Sequence, residues 1–298
     1  MVVMRATIHL VSADDCLLLR PLMQPVLDRE LSRHRDHAPA LAGVDLDPVL
    51  AAARGVLSER ARTGPQLRAA LAERFPAHDP AALAYACRCL LPLVQVPPRG
   101  LWGRGAQVTV TTAQEWLGRP LAGEPSIDDD VLRYLGAFGP ATAGDAGAWS
   151  GLTGLREVVD RLRPRLRAFR DERGRELLDL PDAPRPDPDT PAPTRFLPEY
   201  DNVLLSHADR SRFVSDEDRA RLSRTPGRVH GSVLHDGRLR GVWRLERDRG
   251  TGAATLTVHH LGRLPARAAS SVAAEGRRLL RFLAADGGGH EVRLVPVP

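Results

Sequence analysis

Four stretches of this 298-residue chain carry residues whose types and spacing could do chemistry. In RATIHLV (5–11), Arg5, Thr7 and His9 share one face if the segment alternates as a strand, and that face would line a polar channel. A lone strand histidine is more often structural, so His9 carries both readings. In PEYDN (198–202), Asp201 follows Tyr200. Its carboxylate could orient a water as a general base, or it could cap the next turn or pair with Arg210, which are the commoner uses. In VPPRGLWGRG (96–105), Arg99 and Arg104 flank Trp102 among glycines, and no acidic residue lies within the ten positions before Arg99. The fourth stretch, 156–175, is dense in arginine, and Arg163, Arg165 and Arg167 form its least balanced part. Its bland alternative is a solvated amphipathic face.

The composition removes whole classes of chemistry. No lysine occurs, so every strong base among the side chains is an arginine. This excludes a P-loop lysine, a lysine Schiff base and a lysine-based lyase step. Codon bias is a sufficient origin for that absence, but its consequence is that planar, forked guanidinium groups must meet any anion. Aromatic residues make up 4% of the chain, too few for the stacking platforms of a single-strand binder. His259 and His260 point to opposite strand faces and make a poor metal pair, the glycine run 287–289 lacks dinucleotide-binding order, and GAWSG (147–151) has the wrong spacing for a serine nucleophile elbow. Three cysteines, with Cys87 and Cys89 on different faces of one helix, read as buried, reduced thiols. No run of about 18 apolar residues occurs and the N-terminus lacks a signal-peptide pattern, so an intracellular, soluble protein without cofactor or metal is expected.

The elements that must position these residues follow one pattern twice. Helices are expected from Asp47-Pro48, from Thr63-Pro65 to Phe75, and from Asp79-Pro80, followed by two extended segments around the Pro/Gly turn. A second set opens at Ser126 with Asp128, Asp129 and Asp130 in its first turn and closes on two strands around 171–174. Three helices and a hairpin make the winged-helix plan. Before the first set, residues 12–33 read as one helix capped by Ser12. Six prolines in 181–195 mark a stiff linker, and a hairpin turning at Asp236-Gly237, a strand, a covering helix and a last strand follow.

RATIHLVSADD (5–15), VPPRGLWGRG with EWLGRPL (96–105 and 115–121) and FLPEYDNVLLSHADRSR (196–212) together resemble, in order and separation, the bacterial winged-helix DNA-binding family that includes the AlkZ and YcaQ type DNA glycosylases. The resemblance implies tandem winged helices with a small C-terminal β-barrel, a duplex-DNA partner, and excision of alkylated or crosslinked bases. Those glycosylases carry Gln-x-Gln or Gln-x-Asp upstream of the segment matching RATIHLV. Here Gln24, Gln66, Gln95, Gln107 and Gln114 form no such pair. Either the first winged helix is lost or the natural start lies upstream.

The expected protein is therefore α+β: a remnant strand and helix (1–46), winged helices at 47–122 and 123–180, a linker (181–195) and a β-rich, barrel-like domain (196–298). It is read as a monomeric, cytoplasmic, nucleoid-associated double-stranded-DNA-binding protein lacking the catalytic segment. The alternative is a monofunctional glycosylase using water at the sugar carbon. Arg5, Arg99, Trp102, Arg104, Arg163, Arg165, Arg167 and Arg210 are the DNA-contact candidates. Asp201 and His9 are the catalytic ones.

Overall fold

Hydroxyl and carboxylate caps set most helix starts in this chain, and the computed structural model, which describes residues 1–224, 230–248, 250–285 and 289–297, has them engaged. The described residues form two compact units, Met1–Pro181 and Asp182–Pro298.

In the first unit, Ser12 caps α1 (Ala13–Leu22) by accepting from the Asp15 amide at 3.1 Å. The single helix expected to Arg33 is instead two, because the chain breaks at Met23 and Pro25 opens α2 (Gln24–Arg33). The expected strand at 5–11 is also corrected. Arg5 and Ala6 adopt left-handed φ values of 52° and 55°, and a 3-10 turn, Met4–Ala6, folds the segment back so that Val2 bridges Ile8. Hydrogen bonds from the Val3 amide to the Thr7 carbonyl (3.1 Å) and from the His9 amide to the Met1 carbonyl (2.8 Å) close this loop, so strict alternation fails.

Helix α3 (Asp47–Glu59) leads through β1 (Arg62–Thr63) into α4 (Gly64–Arg74), where Thr63 and Gln66 form a reciprocal capping box. Asp79 caps α5 (Pro80–Leu90), and β2 (Leu93–Gln95) and β3 (Thr109–Thr112) complete a sheet of order β1-β3-β2, all antiparallel. Val49, Leu57, Leu71, Leu83 and Cys87 close its core. After α6 (Ala113–Leu117), the pattern repeats. Ser126 caps α7 (Ile127–Phe138), Ala141 bridges Leu178, α8 (Ala143–Ser150) and α9 (Leu155–Leu162) follow, and β4 (Arg167–Arg170) pairs with β5 (Glu176–Asp179). The second core gathers Tyr134, Leu135, Val158 and Leu162.

The N-terminal helices are tied to both cores by buried polar contacts. Arg20, 2% exposed, donates to Gln24 Oε1 (2.6 Å) and to the Cys89 and Leu91 carbonyls (2.6 and 3.3 Å) at the end of α5. Burial pulls its guanidinium down to about 10, where it stays charged at neutral pH.

The second unit departs from a barrel. Strands β6 (Arg195–Leu197), β7 (Gly231–His235), β8 (Arg238–Arg247), β9 (Ala254–His260) and β10 (His290–Pro296) form an open sheet of order β10-β9-β8-β7-β6, with α10 (Asp216–Leu222) preceding β7. The reason is α11 (Ala266–Leu283), a crossover helix that returns the chain so that β10 lies parallel to β9. Val272 and Leu280 of α11 are fully buried, and a Cβ on Gly276 would stand 3.0 Å from Leu256 Cδ2, so glycine lets the helix approach the sheet. Asp236-Gly237, both at positive φ, make the expected turn. Arg228 and Val229, placed in this hairpin by the sequence, and Gly287 and Gly288 of the glycine run lie outside the described residues. Among the described residues no helix is long and apolar enough to cross a membrane.

Arg20→Ala strands two helix-end carbonyls away from water and should lower the unfolding free energy by about 3 kcal/mol. Urea denaturation followed by circular dichroism checks this, and a loss below about 0.5 kcal/mol, as for an ordinary surface change, would show that Arg20 is not a structural tie.

Candidate nucleic-acid interface

The first expected turn and the N-terminal loop meet at one cavity. A space of about 450 Å³ opens between His9 and Val11 of the loop, Cys16 of α1, Gln95 of β2, Arg99 and Leu101 of the turn, and Trp116 of α6. His9 Nδ1 lies 3.0 Å from the Thr7 carbonyl, so the neutral ring carries its proton on Nδ1 and keeps the Nε2 lone pair. Burial, then the nearby Arg5 and N-terminal charges, push the His9 pKa below its ordinary value despite that carbonyl, which favours the neutral ring. Arg99 is exposed but oriented, its Nε donating to Gln95 Oε1 (3.1 Å) and Nη1 to the Ala106 carbonyl (3.3 Å).

The turn owes its shape to two consecutive reversals. The Leu101 amide donates to the Pro98 carbonyl (3.2 Å) and the Arg104 amide to the Leu101 carbonyl (3.1 Å), with Gly100 and Gly103 at positive φ. Arg104 and Trp102 stand exposed on it, Trp102 by 72%. Leu10, Leu101 and Trp116 are each more than half exposed around the cavity, an apolar rim beside a cationic turn.

The second arginine cluster corrects the reading of an unbalanced stretch. The β4–β5 hairpin brings Glu176 to Arg163, which donates to it at 2.9 Å and contacts Asp160 at 3.4 Å. Arg165 and Arg167 are exposed, Arg167 lying 5.2 Å over the Phe169 ring. All three guanidinium groups sit on or just before the hairpin, and exposed pairs such as Arg163–Glu176 are weak, screened by water and salt. They can therefore be exchanged for other anions.

The remaining candidates have mainly local roles in this geometry. Arg5 donates to the Trp149 carbonyl, at the end of α8. Asp201 caps the short turn Asn202–Leu204 by accepting from the Val203 amide at 2.9 Å, the commoner of its two readings. Neighbouring His207 is buried, its Nδ1 3.0 Å from Ser206 Oγ. Arg210 is half-buried, its pKa drawn down by burial and by Arg219. His9 and Arg99 are thus brought together in the first unit, while Asp201 and Arg210 belong to the second. Tyr200, exposed at φ 60°, adjoins Asp201.

The two third helices differ in what they expose. On α5, Leu83 and Cys87 enter one core, Ala86 and Cys89 enter another with Leu27 and Leu31, and Arg88 donates to the Ala6 carbonyl (3.3 Å). That helix is covered along both apolar faces. On α9, Leu155, Val158 and Leu162 turn inward while Arg156, Glu157, Asp160 and Arg161 are exposed. Burial pushes the Cys87 and Cys89 thiols up to about 12 and about 11, which leaves them unreactive. Among the described residues no three His, Cys, Asp or Glu gather to hold a metal.

Several participants escape sequence reasoning. Gln95 and Trp116 lie far apart in the chain and converge only through the β2–α6 packing. The acidic triplet at 128–130 looks uniform in sequence, yet Asp128 pairs with Arg161 and its pKa is held down, while Asp130 is buried. Desolvation pushes Asp130 up to about 6, with Arg133 opposing and Asp15 assisting the rise.

The family model described as DNA glycosylase AlkZ-like matches residues 1–282. The interstrand DNA cross-link repair glycosylase of Streptomyces sahachiroi is 28% identical over 159 residues, which are 48% of this chain and 41% of that protein. The chain thus spans about two-fifths of the length of the curated relative it matches. The solved structure of S. sahachiroi DNA glycosylase AlkZ superposes with a TM-score of 0.73 at 23% identity, covering 99% of this chain and 81% of that one, a likeness of fold.

The Asp130 carboxyl binds its proton more tightly folded than unfolded, so the folded state loses stability as pH rises from about 4 through about 6. Asp130→Asn should accordingly stabilise the protein by about 2 kcal/mol at pH 7.5 and change little at pH 4. Thermal melts of both chains at the two pH values check this; a destabilised variant at pH 7.5 would mean that the ionised carboxylate has a partner that favours it.

Proposed function

Because the chain belongs to the AlkZ-like DNA glycosylase family, we propose that it binds duplex DNA as a tandem winged-helix protein related to DNA repair glycosylases. The helix, short strand, helix, helix, hairpin order at α3 to β3, matched at α7 to β5 with the Ala141–Leu178 bridge in place of the short strand, supports the winged-helix reading, with boundaries at 47–122 and 123–180. The hairpins are then the wings. Arg99 and Arg104 on the first, and Arg163, Arg165 and Arg167 at the second, meet phosphates, with Arg5 and Arg210 as secondary contacts and Trp102 pressing on sugars or a base step. On this reading the protein acts as a monomer, associated with the nucleoid in the cytoplasm.

The observation that carries the reading is the cavity that holds His9 and Arg99 together beside an exposed, arginine-bearing turn. At about 450 Å³ it is large enough for a base taken out of the stack, with Trp116 and Leu101 as apolar walls. The covered faces of α5 point to contact led by the wing rather than by that helix, and hence to binding without strong sequence preference.

The second reading, a monofunctional glycosylase, is favoured by the neutral ring of His9, whose Nε2 lone pair could accept a proton from water. Asp201 is the weaker candidate because the Val203 amide engages it. An amine-based lyase step lacks its lysine, so any excision would use water at the sugar carbon.

Duplex affinity should fall steeply with salt, with a log-log slope of about −5 for six phosphate contacts. Arg99→Ala should weaken binding more than Arg185→Ala in the linker. Fluorescence anisotropy of a labelled duplex checks both, and a flat salt response or equal effects would sink the wing assignment. No N7-alkylguanine release is expected in a single-turnover assay; clear release, lost in His9→Ala, would replace the binding reading with the catalytic one.

A further inference from the structure

A second cavity, of about 410 Å³, lies between α4, α5 and the β2–β3 ladder. We propose that it is a binding site for a planar aromatic anion, a carboxylate or sulfonate on one or two fused rings. The proposal does not rest on the DNA reading. The volume falls within the roughly 300–1,000 Å³ of small-molecule sites.

Its shape and polarity come from named residues. Ala81 and Ala84, three apart on α5, line it together with Leu93 and Val110 of the sheet and Leu67 of α4. The small alanine side chains leave room beside the Tyr85 ring, which suits a flat ring system better than a bulky aliphatic one. No Asp or Glu lines the space, whereas Arg68 and Arg88 both do. Beside the apolar lining of a half-open recess, a charge set of one sign favours an anion.

The cationic side is also preorganised. Arg88 is held by the Ala6 carbonyl (3.3 Å) and lies 5.4 Å over the Tyr85 ring. That ring is fixed in turn, because its hydroxyl donates to Glu30 (2.7 Å) and His34 and His37 pack on it with centroids 4.3 and 4.6 Å away. Ordering costs that usually oppose ligand binding are therefore already met on this wall. Arg68, exposed on α4, completes the charge.

The test is a fluorescence titration of the full chain with 8-anilinonaphthalene-1-sulfonate, run beside the uncharged N-phenyl-1-naphthylamine. One saturable site per chain is expected for the sulfonate. Arg68→Gln should weaken the sulfonate about fivefold and leave the neutral probe unchanged. Ala84→Trp, which fills the space, should abolish both, with circular dichroism verifying the fold; should that variant misfold, Arg68→Gln decides alone. Absence of saturation, or a sulfonate affinity indifferent to Arg68→Gln, overturns the proposal.

Discussion

The interaction on which the first unit depends is a guanidinium laid on the carbonyl groups that end a helix. The last four carbonyls of any α-helix lack intrahelical partners, and burying them without donors is costly. Arg20 supplies donors at the end of α5, while Arg5 and Arg29 donate to the Trp149 and Gly151 carbonyls at the end of α8. All three arginines come from residues 1–33. That one segment therefore joins two helical bodies far from it in sequence, and it does so with the planar, multi-donor group that a lysine would not provide. The same segment forms one wall of the cavity whose other wall is the Arg99 turn. The geometry of the interface is thus a consequence of how these helix ends are satisfied.

An all-arginine cation set consequently divides by environment. Buried Arg20 and half-buried Arg5 and Arg29 hold backbone, whereas some exposed members at the second hairpin sit beside carboxylates at the strength of ordinary surface pairs. Arg163 with Glu176, and Arg175 with Asp171 at 2.6 Å, are of the second kind. Water and salt weaken such pairs, so a polyanion carrying a dense row of phosphates can take over the guanidinium groups at little cost. The formal balance of +5 hides this division, since it counts structural and surface arginines alike.

What was legible in the sequence was whatever depends on neighbours a few residues apart. Ser12, Thr63, Asp79 and Ser126 cap helices as their spacing to the following amides requires, and Asp236-Gly237 turns the hairpin. The errors have one cause. RATIHLV reads as alternating, but a loop closed by its own amides overrides alternation. Asp128 and Asp130 look equivalent, but only the packing of α7 decides which faces Arg161 and which is desolvated. Arg163 looks unbalanced until a hairpin returns Glu176 to it. The barrel-like expectation failed because a crossover helix fixes a parallel pairing that no local pattern announces. The candidate site was legible as separate pieces, His9 and Arg99, and illegible as a cavity, because its walls come from segments as far apart as the N-terminal loop, β2 and α6.

The coverage of α5 has a further consequence for recognition. A winged helix that reads sequence needs a helix face with free polar side chains in the major groove. Here both apolar faces of that helix are spent on packing: one closes its own core and the other binds the N-terminal helices. Outward beside the two covered faces stands the turn, with two guanidinium groups, an exposed indole and an adjoining cavity. If the unit binds DNA as proposed, such a surface would discriminate by whether a base can leave the stack and fit, rather than by the surrounding sequence. On that reading, fit of an extruded base and indifference to sequence would both follow from the burial of α5 beneath the segment that Arg20 anchors.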